Sequence, residues 1–151
     1  MQIPIFLHVL GVVVWVGGMF FAYVCLRPVA AQSLEPPQRL RLWDGSFRRF
    51  FPWVWASVAL ILASGLYMIW LMGGFAAAPV HVHAMFGIGL AMMLIFFHVY
   101  FAPYRRLQRA VAAEDWKAGS AALAQIRKLV GTNLTLGIIT ITVATLGPLL
   151  F

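Results

Sequence analysis

The sequence alternates between four long apolar runs and shorter polar links. The runs cover residues 3–26, about 50–75, about 79–104 and 129–151, and none of them contains Lys, Arg, Asp or Glu. A helix needs about 20 mostly apolar residues to cross a bilayer, so each run is long enough to span one. The pattern predicts an all-α integral membrane protein, with residues 1–151 forming a single four-helix transmembrane domain.

Composition and charge placement support this interpretation. The chain is 63% hydrophobic and 10% charged, whereas a soluble domain is about 45–50% apolar and about 25% charged. The net charge is +7, but every Lys and Arg lies within 27–49 or 105–128, and the link at 73–80 has none. The positive-inside rule assigns the two basic links to the cytoplasm and both termini to the outside. The charge therefore indicates topology in a lipid bilayer, and nucleic-acid binding is not expected.

The links and the first run carry further signals. Glu35-Pro36-Pro37 is expected to break any helix in the first basic link, whereas the Ala-rich second basic link should extend the third and fourth helices into the cytoplasm. The first run is long and lacks a basic segment before it, which favours a retained helix over a cleaved signal. A lone Cys25 gives neither an intramolecular disulfide nor a Cys-based zinc pattern.

Four histidines are the only groups in the runs that titrate near neutral pH, and ionisable residues inside membranes are functional candidates by default. His8 and His83 should lie roughly 6 to 8 Å inside their helices from the outer end, at 1.5 Å per residue. Two imidazoles at one depth could share a ligand. His81 should face nearly the opposite side from His83, and we expect His83 to face inward because Gly87 follows on its face. His98 indicates an interfacial or core hydrogen-bonding role, with a quinone or proton role as the alternative.

Small residues accompany His8 along one seam of the first helix, at spacings of three and four: Gly11, Trp15, Gly18, Ala22 and Cys25. Such a seam either admits a neighbouring helix or leaves room for a flat macrocycle. Asn133, Gly137, Thr140, Ala144 and Gly147 form a similar seam on the fourth helix, where helix packing is the expected role. Because both seams need not be consumed within one bundle, a homodimer is left open.

Methionines suggest a second chemistry. Soft thioether ligands select Cu(I), and the sequence contains seven Met. Most fit ordinary apolar packing. Met68, Met72 and Met85 could cluster near the outer face with His81, which would give a copper site.

Several motifs resemble known families. The stretch from His8 through Trp15-Val-Gly-Gly18 to Leu26-Arg27-Pro28 is similar to the first helix of the copper resistance protein D (CopD) family. Arg48-Arg49-Phe50-Phe51-Pro52-Trp53 followed by Ala63-Ser64-Gly65, and Phe101-Ala-Pro-Tyr104-Arg105-Arg106-Leu, resemble that family's second-helix entry and third-helix exit. The resemblance implies copper uptake or tolerance, often beside a periplasmic copper-binding partner, in the bacterial inner membrane. The His8-to-Gly18 pattern also resembles the HemJ-type protoporphyrinogen oxidases, which implies heme near a first-helix His; that type usually has Lys where this chain has His83.

Three functional hypotheses follow. In the first, heme b lies between His8 and His83, with Gly11, Trp15, Gly18 and Gly87 shaping its pocket, and electrons pass between quinol and a periplasmic copper or redox protein. In the second, copper binds at the outer face through His81, His83, Met85 and Met68 or Met72. In the third, the protein is a HemJ-like porphyrinogen oxidase. Whether the protein is an enzyme is left open.

Overall fold

The computed structural model describes residues 1–150, which are almost entirely helical and contain no β-strand. In chain order the elements are α1 (Gln2–Phe20), a π-helical segment (Phe21–Leu26), α2 (Arg27–Ser33), α3 (Pro36–Leu71), a short 3-10 turn (Phe75–Ala77), α4 (Val80–Phe101), α5 (Pro103–Ala112) and α6 (Trp116–Leu150). The first three join into one helical rod, and α4 joins α5, so the chain forms four rods long and apolar enough to cross a membrane. The prediction of an all-α four-helix membrane bundle is confirmed.

The helices extend well beyond the apolar runs at one end of the bundle. There α3 begins fourteen residues before Phe50 and α6 begins thirteen residues before Leu129. At 1.5 Å per residue these helices exceed the roughly 30 Å hydrocarbon thickness. We call this end, which contains all the Lys and Arg, the basic half. The opposite end, which contains Met1, Leu150 and the 72–79 link, is the histidine half.

The prolines of the first basic link start a helix. The chain is extended at Leu34 and Glu35, and Pro36 and Pro37 form the first turn of α3. Proline is tolerated there because its missing N–H would have no helical partner. In the opposite link, Gly73 and Gly74 have φ angles of 97° and 91°, a conformation that favours glycine, and they end α3 before the chain turns back into α4.

The basic half is held together by aromatic rings. The Phe51 ring centroid lies 4.9 Å from that of Phe47, 4.8 Å from that of Tyr104 and 5.5 Å from that of Phe96. Trp55 stacks on Phe97 with centroids 5.0 Å apart. These rings join α3 to α4 and α5, and all of the ring pairs lie in the range where aromatic contacts are favourable.

Glycines bring neighbouring helices together within the bundle. A Cβ atom at Gly11 would lie 2.8 Å from Ile61 Cγ1, and one at Gly18 would overlap the Phe50 ring. On α6, a Cβ at Gly137 would meet Val16 and Met92, and one at Gly147 would lie 2.7 Å from His81 Cβ. The small-residue seams of the first and fourth helices are therefore both occupied by contacts within one chain. They no longer provide an argument for a homodimer.

Candidate metal site in the histidine half

His8 is half-buried on α1 and faces α3. Its Nδ1 atom lies 2.9 Å from the Ser64 hydroxyl oxygen. Its ring lies against Gly65, where a Cβ atom would be 3.3 Å from His8 Cε1. The Ser-Gly pair thus provides both a hydrogen-bond partner and the space for the imidazole ring.

The hydrogen bonds around Ser64 determine the tautomer of His8. The Ser64 hydroxyl oxygen is 2.6 Å from the Leu60 carbonyl oxygen and 3.2 Å from that of Ile61. A hydroxyl has one proton, and both carbonyls can only accept it, so Ser64 accepts its other hydrogen bond from the His8 Nδ1–H. In the neutral ring the lone pair is then on Nε2. Histidines that bind metals have this arrangement, with the second ring nitrogen donating to a fixed acceptor.

The packing of α6 shows which part of α4 lies at the depth of His8. Val16 on α1 and Met92 on α4 both contact the same position, Gly137. Each helix rises 1.5 Å per residue. Eight residues from Val16 towards the start of α1 is His8, and eight residues from Met92 towards the start of α4 is residue 84, so these two positions lie at the same depth. Met85 is therefore one residue away in depth, and His81 is about 4.5 Å farther out.

His81 and His83 face different sides of α4. We expected His83 to face inward, but His81 is the one that does. His81 packs against Gly147 of α6, and its Nδ1 is buried without a hydrogen-bond partner in residues 1–150. His83 is exposed, its Nδ1 lies 3.1 Å from the Pro79 carbonyl oxygen, and its ring centroid is 6.0 Å from that of Phe75. The physical reason is helical phase, since His81 and Met85 continue the face that buries Met92.

The residues expected to hold heme are not arranged as a common pocket. His8 is suited to be one axial ligand, but the ring contacts of His83 are with its own helix end and the 72–79 link. Ile61 and Phe50 occupy the space beside Gly11 and Gly18. Trp15 is 3% exposed and its ring forms a T-shaped pair with that of Phe96. Of the three glycines expected to shape the pocket, only Gly87 has open space beside it, on the exposed surface. Helix packing, the alternative considered for this seam, accounts for these contacts.

The expected copper ligands divide into two groups. His81 and Met85 lie one turn apart on the face of α4 that packs against α6, with Met85 near the depth of His8 and His81 about 4.5 Å farther out. Met68 and Met72 are half-buried at the end of α3, and no described contact joins them to His81. Within residues 1–150 no three His, Cys, Asp or Glu side chains lie close enough together to hold a metal. A metal here would therefore need a mixed imidazole and thioether set.

Two other expected residues lie outside this region. His98 is exposed in the last turn of α4, and Cys25 is exposed in the π-helical segment. Sequence reasoning missed the part played by Ser64, although it had singled out Ala63-Ser64-Gly65 as a motif. A hydroxyl beside a glycine in an apolar run was the available signal.

These observations define a multi-pass membrane bundle with a packed aromatic half and a half-buried imidazole at the other end. The family model of copper resistance protein D matches residues 44–146, well over half of the chain. The chain belongs to the copper resistance protein D family, which confirms that resemblance, whereas the HemJ resemblance stays a prediction. Ser64, His81 and Met85 lie within the matched segment, and His8 precedes it. A search of curated proteins and a search of solved structures find no match.

Proposed function

We propose that this protein binds copper in the histidine half of its bundle and acts in copper tolerance or uptake at the bacterial inner membrane. The observation that carries the proposal is the His8–Ser64 pair, which leaves the Nε2 lone pair free at the depth of Met85. The membership of the chain in the copper resistance protein D family supports the choice of metal. His8, His81 and Met85 are the proposed ligands.

The chemistry of these side chains favours copper among the common metals. Thioether and imidazole ligands suit Cu(I), whereas Mg²⁺ and Ca²⁺ need several oxygen ligands. All four acidic residues, Glu35, Asp44, Glu114 and Asp115, lie in the basic half of the chain. The His81 side chain adds a second imidazole, whose Nδ1 has no hydrogen-bond partner in residues 1–150.

The packing of the basic half favours a protein that binds and releases copper at the outer face over one that conducts it through the bundle. A conducting path needs polar groups at successive depths, whereas Trp15 belongs to one apolar core with the rings of Phe51 and Phe96. Copper bound near His8 would then be exchanged with a periplasmic copper-binding partner. The lipid bilayer surrounds the rest of the bundle.

Copper binding by purified protein tests this proposal. Cu(I) affinity would be measured in detergent by competition with a chromophoric chelator. His8→Ala should weaken binding at least tenfold, and His81→Ala and Met85→Ala should also weaken it, because each removes one ligand. His98→Ala is the matched control, since that imidazole is exposed at the other end of α4 and should leave the affinity unchanged. Equal affinity in wild type and His8→Ala would refute the proposal.

A b-type heme is the second candidate, because the free His8 Nε2 is equally suited to iron. A heme bound there would supply electron transfer between quinol and a periplasmic acceptor. A reduced-minus-oxidised spectrum and a pyridine hemochrome assay on the same protein distinguish the two. Near-stoichiometric heme that is lost in His8→Ala, without bound copper, would replace the copper proposal. The HemJ-like prediction has its own test, complementation of a strain that lacks protoporphyrinogen oxidase.

A further inference from the structure

A cavity of about 150 Å³ lies in the basic half, many times the roughly 10–15 Å³ that one water molecule needs. It is bounded by the π-helical segment and α2, by the start of α3, and by the first half of α6. Its apolar wall includes Ala22, Leu40, Trp43, Phe47, Leu123 and Val130. It lies at the opposite end of the bundle from the proposed copper ligands and is independent of them.

Three arginines, Arg27, Arg39 and Arg127, line this cavity, and no carboxylate does. The two ion pairs within residues 1–150 use other arginines, in Arg41–Glu114 and Arg48–Asp44. The cavity therefore concentrates positive charge that the chain itself does not neutralise. Like charges gathered around one concave site repel one another unless an anion lies between them.

The Arg39 and Arg27 side chains are held in place within the cavity wall. Arg39 donates from one terminal nitrogen to the Leu34 carbonyl oxygen at 3.3 Å, while its Nε is buried and has no partner in residues 1–150. Arg27 donates from Nε to the Tyr23 carbonyl oxygen at 3.1 Å, and its guanidinium carbon lies 4.4 Å from the Tyr23 ring centroid. A buried N–H without an acceptor is unfavourable, which indicates that an acceptor from outside the chain belongs there.

The local backbone contributes to this arrangement. Residues Phe21–Leu26 form the π-helical segment between α1 and α2. Such segments are uncommon and occur frequently at functional sites. Here the segment contains Tyr23 and immediately precedes Arg27, so it sets the direction in which both side chains meet the cavity.

We propose that this cavity binds the phosphate group of an anionic ligand, and that the ligand is an anionic phospholipid. Guanidinium groups match phosphate oxygens in geometry and charge. The cavity begins where the first apolar run ends, which is the depth of a headgroup, and basic pockets between membrane helices on the cytoplasmic side bind such headgroups. The apolar wall formed by Leu40, Trp43 and Val130 suits the start of an acyl chain.

Binding of defined lipids to delipidated protein tests the proposal. Native mass spectrometry in a neutral detergent would compare phosphatidylglycerol with phosphatidylcholine, for wild type and for Arg127→Gln and Arg39→Gln. Each substitution should reduce phosphatidylglycerol affinity about fivefold, the equivalent of one arginine at a charged surface. Arg109→Gln is the matched control, because that arginine is exposed on α5 and does not line the cavity.

Two further measurements make the result unambiguous. Arg127 is exposed and makes no hydrogen bond to another described residue, so Arg127→Gln should fold even if Arg39→Gln does not, and Arg39→Lys should retain part of the affinity. Thermal stabilisation by inorganic phosphate alone, lost in Arg127→Gln, would confirm phosphate chemistry with a free anion as the source. Equal phosphatidylglycerol affinity in Arg127→Gln, Arg109→Gln and wild type, with no such stabilisation, would overturn the proposal.

Discussion

The two halves of the bundle differ in the side chains that hold their helices together. In the basic half, large rings fill the space between helices, as in the set Trp43, Phe47, Phe51, Phe96 and Tyr104, each at most 6% exposed. In the histidine half, helices meet through glycines and single polar side chains, such as His8 with Ser64 and His81 with Gly147. The difference is clearest along α4, where Met92, Met93, Phe96 and Val99 are buried and no residue from Val80 to Ala91 is.

This difference separates the scaffold from the candidate site. Association of helices in lipid depends on close packing, since lipid is as apolar as the side chains. The ring cluster provides that packing in the basic half, where Arg39 Nε and Asp44 Oδ1 are nevertheless buried without a hydrogen-bond partner in residues 1–150. The histidine half leaves two ring nitrogens, His8 Nε2 and His81 Nδ1, without protein hydrogen bonds in the described residues. Substitutions in the basic half should therefore affect stability, and those in the histidine half should affect metal binding.

The largest expected stability effect comes from Phe51→Ala. Its ring is 4% exposed and contacts rings on α3, α4 and α5. Deleting it should cost about 2–3 kcal/mol, below the roughly 3–5 kcal/mol of water-soluble cores because transfer from water plays no part here. Unfolding by SDS in mixed micelles would measure it. Trp53→Ala is the control, since Trp53 is 65% exposed and should change stability little. A similar loss in both variants would contradict the assigned role of the ring cluster.

A smaller effect is expected at the boundary between the halves. Gly18→Ala places a Cβ atom where the Phe50 ring lies, so α1 or that ring must shift. Overpacking of this kind costs about 1–3 kcal/mol. Gly17→Ala is the matched control, because a Cβ at Gly17 meets nothing within 4 Å. If both variants unfold at the same SDS fraction, the α1–α3 interface does not depend on close contact at this glycine.

The fold was predictable because its cause is visible in the sequence. Four uncharged runs of about 23 to 26 residues have no stable alternative to helices in lipid, where every backbone polar group must be satisfied within its segment. The extent of the helices was less predictable. The helix break expected at Glu35-Pro36-Pro37 is present, because α2 ends at Ser33 and the chain is extended at Leu34 and Glu35. The sequence did not show that Pro36 also starts α3, since proline's effect depends on which turn it occupies.

The candidate site was predictable only in part. His8 could be singled out because an ionisable group in an apolar run is costly, and His81 and His83 were correctly expected to face different sides. Which of them faces inward depends on the phase of α4 against α6, which Gly147 and Met92 determine through contacts between distant residues. The role of small residues was similarly ambiguous, because Gly11 can admit either a ligand or Ile61, and only packing distinguishes the two.

The smallest expected stability effect comes from Ser64→Ala, which also tests the comparison most sharply. It removes one half-buried hydrogen bond to His8, which should cost about 0.5–1.5 kcal/mol in SDS unfolding. Without Ser64 as acceptor the His8 proton is no longer held on Nδ1. Copper affinity should then fall about 10–100-fold, the usual cost of losing the partner that orients a metal-binding histidine.

Ser57→Ala provides the control for this prediction. Ser57 is also buried on α3, two turns from Ser64, and its side chain makes no hydrogen bond within residues 1–150. It should leave copper affinity unchanged, and Ser64→Thr should restore most of it by returning the hydroxyl. Full affinity in Ser64→Ala with His8→Ala still defective would keep His8 as a ligand but remove the tautomer argument. A loss of stability in Ser64→Ala as large as that of Phe51→Ala would instead mean that the histidine half is scaffold as well, because the hydrogen bond would then hold α1 to α3.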